Sequence, residues 1–421
     1  MNKKLLAVAV AGAFTAAPLA AMAQSTVTIS GFFKISVENI NISSYGTSPT
    51  GVPSRPAGTN KSEGRLADDS SRIVFNIVED LGGGLRAVGQ ADMRINIVNP
   101  SSGLPPMAGN THVGLRGSWG QIRAGLQDLH YGGRESYLTD KGDLRADSIS
   151  ILAYANGGAT AIANATRTPN VLFYDTPELW GGFTARAAYS FSPAANGVNG
   201  VTGAAGTTGQ GLAIPPSTSA DIGSNTRKGR AWNFNPNWAA SGLVLGYSYW
   251  SEKADNPNGY PAGNAGSMDQ RADRLYGSYL FPMGLRIGLA WDKSKLTGAQ
   301  STLAPATNGV TLSNRTAWSF PASYAWGPYE IHAHYDRAGN DKAAGNGLIV
   351  AGANTKASMF AASFQYNLSK RTSLALNYAQ INNQANAAYN FFTSTSLGSA
   401  DAGIKAGEDP RLWSLTMRHA F

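Results

Sequence analysis

The sequence has 421 residues, no cysteine, 14% charged residues, 49 glycines and a formal charge of +8. Few charges beside many strand and turn formers argue against a helical protein, and no run beyond the N-terminus approaches the ~20 apolar residues that a membrane helix needs. A basic balance admits nucleic acid, heparin or anionic lipid as partners, but the cations are dispersed and fall mostly on one face of each segment, so no nucleic-acid partner is expected.

Lys3 and Lys4 precede an apolar run from Leu5, with small residues at Ala21 and Ala23. This pattern predicts a secretory signal peptide over residues 1–23, leaving 24–421 as a single domain. An exported chain without cysteine is held by hydrogen bonds and packing, not by disulfides.

Over residues 26–40, Val27, Ile29, Phe33, Ile35 and Val37 alternate with Ser30, Lys34, Ser36 and Glu38, the period of a strand with one oily and one wet face. Residues 41–70 are polar and rich in Gly, Ser and Pro, which predicts a long loop. Residues 71–79 alternate again, then Asp80 and Leu81 lead into Gly82-Gly83-Gly84, a tight turn. In residues 85–97, Leu85, Ala87, Gly89, Ala91, Met93, Ile95 and Ile97 share one face, and Arg86, Gln90, Asp92, Arg94 and Asn96 share the other. Two shorter strands follow at 110–117 and 121–127, the second placing Arg123 on its polar face.

After a long segment, the same pattern recurs at 169–175, 183–191, 228–235, 241–251, 270–281, 285–293, 314–326, 329–337, 355–367, 372–381 and 408–421. Connections alternate between short turns, among them 118–120, 176–182, 236–240 and 368–371, and long Gly/Ala/Asn-rich loops such as 192–227 and 382–407. About sixteen alternating strands with this asymmetry predict an all-β fold, a transmembrane β-barrel with short periplasmic turns and long outer loops. The last strand alternates Trp413, Leu415 and Met417 against Ser414, Thr416 and Arg418, and ends on Phe421. It is expected to pair with residues 26–40 and close the sheet. The small face of Ala87, Gly89 and Ala91 suits close packing of another subunit.

No catalytic constellation is visible: no Gly-x-Ser-x-Gly elbow, phosphate loop or zinc motif occurs. His332 and His334 share a strand face continued by Asp336, a spacing that can bind metal, but no further ligand stands at a fixed spacing, so a polar wall is expected, with no metal and no cofactor. His130 beside Asp128 is the one local candidate for a barrel enzyme.

Together the residues resemble the general trimeric porins of β-proteobacteria. The resemblance rests on Thr26-Val27-Thr28-Ile29-Ser30-Gly31, on Ser71-Arg72 leading to Glu79-Asp80-Leu81-Gly82-Gly83-Gly84-Leu85, and on Val113-Gly114-Leu115 with Gly120. Further pieces are Tyr174-Asp175-Thr176-Pro177, Gly181-Gly182-Phe183, Tyr366-Asn367-Leu368-Ser369-Lys370-Arg371-Thr372 and Arg418-His419-Ala420-Phe421. It implies a sixteen-stranded homotrimer in the outer membrane, among lipid and lipopolysaccharide, passing small hydrophilic solutes and ions by diffusion. It implies that the third long loop, residues 128–168, folds into the pore and carries Glu135, Asp140, Asp143 and Asp147. Facing them it implies a basic wall of Arg72, Arg86, Arg94 and Arg123, with Arg167 at the family's pore-arginine position, and an assembly signal at Phe421. Gly109-Asn110-Thr111 stands where many members carry adjacent basic residues, so only a mild anion preference is expected. The alternatives are a substrate-selective channel of the same fold and an outer-membrane barrel enzyme.

Overall fold

The computed structural model describes residues 25–43, 62–100, 107, 109–130, 148–152, 167–191, 229–254, 268–298, 308–343, 352–391, 404 and 406–421. The expected signal peptide and the loop carboxylates Glu135, Asp140, Asp143 and Asp147 lie outside these residues.

The first strands are β1 (Thr26–Ser43), β2 (Ser62–Asp68), β3 (Arg72–Gly82), β4 (Leu85–Arg94), β5 (Thr111–Gly117) and β6 (Gly120–Asp128). A single helical turn, α1 (Ile149–Leu152), precedes β7 (Arg167–Asp175), β8 (Phe183–Ser190), β9 (Gly229–Ala240), β10 (Leu243–Ala254) and β11 (Met268–Leu280). The remaining strands are β12 (Leu285–Gly298), β13 (Thr311–Trp326), β14 (Tyr329–Ala338), β15 (Ala357–Asn367), β16 (Thr372–Asn383) and β17 (Asp409–Ala420). Each pairs antiparallel with its neighbours, and β1 pairs with β17 from Phe32↔Ala420 to Ser43↔Asp409, so the sheet closes on itself. Closure removes the exposed edges of an open sheet.

Seventeen strands make sixteen staves, because β2 and β3 both pair with the same side of β1. The break between them lies at Asp69, Ser70 and Ser71. Ser70 has φ 66°, and the Ser71 hydroxyl accepts from the Lys34 amide at 2.9 Å. The side chain replaces a lost ladder partner, as at a bulge.

Two sequence expectations are corrected. Residues 41–70 are not one loop, since β1 continues to Ser43 and β2 forms at Ser62–Asp68. The connection expected at 236–240 is strand as well: β9 runs to Ala240, and the turn is Ser241–Gly242, with φ 50° and 82°. Pro236 breaks the local ladder to β10 but not the strand, because proline removes one donor and leaves an extended backbone possible.

The outer face is the oily one. Val27, Ile29, Phe33 and Val37 of β1 are exposed, whereas Lys34, Ser36 and Glu38 are buried toward the interior. A water-soluble barrel would have the opposite sense, so the wall is built for a lipid surround. Aromatic side chains cluster at the short-turn rim, where Trp326, Tyr329, Phe364 and Tyr366 stack on one another, a position suited to the headgroup layer.

Candidate channel lining

The interior contains two unlike walls. On β3–β8 the inward cations with described side chains are Arg72, Arg86, Arg94, Arg116, Arg123 and Arg186, set among the carboxylates Asp80, Asp92 and Asp175; register places these residues on one face. On β10–β15 the inward carboxylates Glu252, Asp292, Glu330 and Asp336 accompany Arg274, Arg286 and Arg315. One wall carries a positive surplus and the facing wall a slight negative one, so a field runs across the enclosed space.

Arg72 and Arg94 are direct register partners, and both reach Asp92, at 3.8 and 3.2 Å. The Arg72 guanidinium also lies 4.7 Å from the Phe32 ring centroid, as does that of Arg418. Beside them Lys34 pairs with Asp69 at 2.7 Å. This cluster joins β1, β3, β4 and β17 across the closing seam.

A second cluster centres on Asp175. Arg123 reaches one of its oxygens at 2.5 Å and Arg186 the other at 2.7 Å, while Arg123 also meets the His112 ring at 3.1 Å and lies over Phe173. One carboxylate therefore orients two guanidinium groups. Sequence reasoning found Arg123 but missed Asp175, Arg186 and His112 as its companions. The alternation already put all three on inward faces, but only register across β5–β8 brings them together.

Arg86 stands apart from the first cluster. It is the second residue of β4 while Arg94 is the last, so about 8 residues, or ~26 Å of strand, separate them. Arg86 faces Arg116 at the short-turn rim. Arg167 opposes Asp128 in the β6–β7 register.

The third long loop enters the interior. After β6 ends, Leu129 and His130 are fully buried, and His130 Nδ1 lies 2.8 Å from the Ser248 hydroxyl on β10. His130 Nε2 is 3.8 Å from Asp292 on β12. Further along, α1 packs on β13, β14 and β15, with Ile151 and Leu152 inaccessible to solvent. Those staves are diametrically opposite β6 in the ring, so the loop crosses from one wall to the other. The receiving wall is apolar at that point, offering Ala317, Ala338, Ala357 and Met359.

The other candidates resolve into local pairs. His332 meets Glu330 at 3.0 Å and His334 meets Asp336 at 2.5 Å; among the described residues no group of three or more potential ligands could hold a metal ion. Ala87, Gly89 and Ala91 occupy the outer face, Gly89 lying between exposed Ile77 and Val113. The ring of Phe421 lies 5.3 Å from that of Phe33, and its amide donates to the Gly31 carbonyl at 3.1 Å.

Comparison with known proteins agrees with this architecture. Residues 7–386 match a family described as Gram-negative porin. Over 213 residues the chain is 30% identical to the major outer membrane protein P.IB of Neisseria meningitidis serogroup B, an alignment covering 49% of this chain and 54% of that protein. Over 194 residues it is 32% identical to outer membrane porin protein 32 of Delftia acidovorans, covering 45% and 50%. The chain thus spans about half the length of these curated relatives. Among solved structures, an anion-selective porin from Comamonas acidovorans superposes with a TM-score of 0.65 at 20% identity, covering 94% of this chain and all of that one. OmpT of Vibrio cholerae superposes with a TM-score of 0.57 at 10% identity, covering 96% and 100%.

Proposed function

Because the chain belongs to the Gram-negative porin family, we propose that it forms a water-filled channel in the outer membrane through which small hydrophilic solutes and ions diffuse, with a mild preference for anions. The observation that carries this reading is the inverted barrel itself: an oily exterior around an interior of ionised side chains, narrowed by a loop that crosses it. An arginine at the lipid midplane of such a wall would cost about 2–4 kcal/mol. Turned inward, Arg72, Arg94, Arg123 and Arg186 stay hydrated and lower the energy of a passing anion.

The constriction is read as the Arg72/Arg94 and Arg123/Arg186 clusters facing the loop-bearing wall, with Arg86 at the mouth, Arg167 at the loop's return, and Glu135, Asp140, Asp143 and Asp147 as the loop's acidic contribution. The expected assembly is a homotrimer among lipid and lipopolysaccharide, with Ala87, Gly89 and Ala91 at the subunit contact. Phe421 serves as an assembly signal, residues 1–23 as a signal peptide and residues 24–421 as the single barrel domain. Catalysis is no part of this reading; His130 is taken up by Ser248 and the β12 wall.

Swelling of liposomes carrying the purified protein tests the proposal. Rates that fall smoothly with solute size and do not saturate support general diffusion. Saturation by one solute class would favour the substrate-selective alternative, and no swelling above protein-free liposomes would remove the channel.

A further inference from the structure

One local pattern occurs twice on the inner wall. Phe173 of β7 is opposed in register by Arg123 of β6 and, on its other side, by Ala188 of β8, which puts Arg186 on the diagonal. Phe32 of β1 is opposed by Arg72 of β3 and by Ala420 of β17, which puts Arg418 on the same diagonal. Diagonal neighbours on one face of a sheet are about 7–8 Å apart, within reach of a long side chain. Each phenyl ring therefore lies against two guanidinium groups. Their distances from the ring centroid are 4.5 and 5.4 Å at Phe173, and 4.7 Å for both at Phe32.

The two copies differ at one position. Two residues beyond Phe173 stands Asp175, the register partner of Arg186, whose carboxylate holds both guanidinium groups. Two residues beyond Phe32 stands Lys34, the register partner of Arg418. No carboxylate takes the Asp175 part there. Lys34 holds Asp69 at 2.7 Å, Asp92 lies nearer Arg94 at 3.2 Å than Arg72 at 3.8 Å, and Arg418 makes no ion pair with a described residue. Under its closed cluster Phe173 is only 1% exposed, whereas Phe32 is only half-buried.

We propose that Arg72, Phe32 and Arg418 form a binding site for aromatic carboxylates, in which the solute's carboxylate bridges the two guanidinium groups as Asp175 does in the other copy. Charge-assisted hydrogen bonds to two guanidinium forks hold the carboxylate. The solute's ring packs on Phe32 and on the guanidinium faces, which stack on aromatic planes. A saturated acid of the same size meets the charge but not the planes, and a small inorganic anion leaves Phe32 uncovered. The site slows one solute class in a path that stays open to others. It deepens the channel reading above by naming that class, and rests on it.

The test is block of chloride current through the full-length protein in a planar bilayer by benzoate and by cyclohexanecarboxylate, at constant ionic strength and relative to each variant's own unblocked current. Benzoate should block at a concentration at least about 3-fold lower than the saturated acid. Phe32→Leu should abolish that difference and Phe32→Tyr should keep it. Arg418→Gln should raise the blocking concentration of both acids at least about 3-fold. Equal block by the two acids in the original protein, an undiminished benzoate preference in Phe32→Leu, or unchanged block in Arg418→Gln overturns the proposal. A heat-modifiable gel band shows that each variant is folded, and if Phe32→Leu is not, Arg418→Gln decides. Equilibrium dialysis of labelled benzoate against the detergent-purified protein is run in parallel. Benzoate bound by a protein that does not conduct sinks the channel and keeps the site, whereas conduction with equal block by the two acids sinks the site alone.

Discussion

Arg315 Nη2 on β13 donates to the Leu152 carbonyl oxygen at 2.9 Å, while its Nη1 donates to the Tyr389 hydroxyl at 3.0 Å. The guanidinium is almost fully buried, so it serves as a bolt between the wall, the third loop and the segment after β16. It satisfies the carbonyl of Leu152, the last residue of α1, one of the C-terminal carbonyls that a helix leaves open.

Replacing Arg315 by Met removes the bolt and keeps most of the volume. Each hydrogen-bonding group left unpaired costs about 1–3 kcal/mol, enough to free α1 from its apolar seat. The expected result in single-channel recordings is larger mean conductance with more open-channel noise. Conductance and noise equal to the original protein would show that α1 is held by packing alone.

The Asp175 cluster gives a charge prediction with a sign. Asp175→Asn removes the carboxylate between Arg123 and Arg186, leaving two guanidinium groups facing each other. Breaking such a pair in a water-poor setting costs about 3–5 kcal/mol; lumen water reduces this to roughly 1–2 kcal/mol. The variant should unfold at lower temperature and prefer anions more strongly, both readable from a heat-modifiability gel and a reversal potential.

His130 supplies a pH prediction. Burial holds its imidazole below the ordinary histidine value; Asp292 and Asp273 oppose that shift and Arg274 adds to it. A folded-state value below the unfolded one means the docked loop favours neutral imidazole. Its contribution is complete above about pH 6.5, the ordinary value, and is lost as pH falls through the folded value. Conductance should therefore change on acidification below about pH 6, and His130→Gln should flatten that dependence. An equally steep profile in the variant would assign it to other groups.

Closure of the barrel depends on Gly31. Its φ is 154°, and a Cβ there would fall 2.2 Å from the Arg72 carbonyl oxygen and 3.1 Å from the Phe421 ring. Gly31→Ala must push β1 from β3 or displace Phe421, whereas deletion of Phe421 removes only the ring and its bond to Gly31. Both should lower the yield of folded, heat-modifiable barrel, Gly31→Ala more severely, while any channels formed by the deletion conduct normally.

The strands were legible wherever one face meets oil. β17 shows why: from Trp413 to Arg418 apolar and polar residues alternate without exception. β2 was not legible because its outer face carries one large apolar residue, Leu66 opposite Val37, among Ser62, Gly64 and Asp68, while Glu63, Arg65 and Ala67 face inward. A single large apolar residue in seven gives hydropathy no period to show. The inward arginines were readable by parity, but their grouping was not. Arg315 and Leu152 are 163 residues apart, and nothing near either announces the other. Arg86 and Arg94 share a face, yet distance along β4 puts only Arg94 with Arg72, a separation that parity ignores.

The transverse asymmetry of the channel is tested most directly by the reversal potential in a tenfold potassium chloride gradient across a planar bilayer, measured on the original protein and on Arg72→Glu. The original protein should reverse toward the chloride equilibrium potential, and Arg72→Glu should move the reversal by at least about 10 mV toward that of potassium, since the substitution turns one positive charge beside Asp92 into a negative one. Reversal of the original protein at the potassium potential, or no movement in Arg72→Glu, would contradict a basic wall that selects the permeating ion.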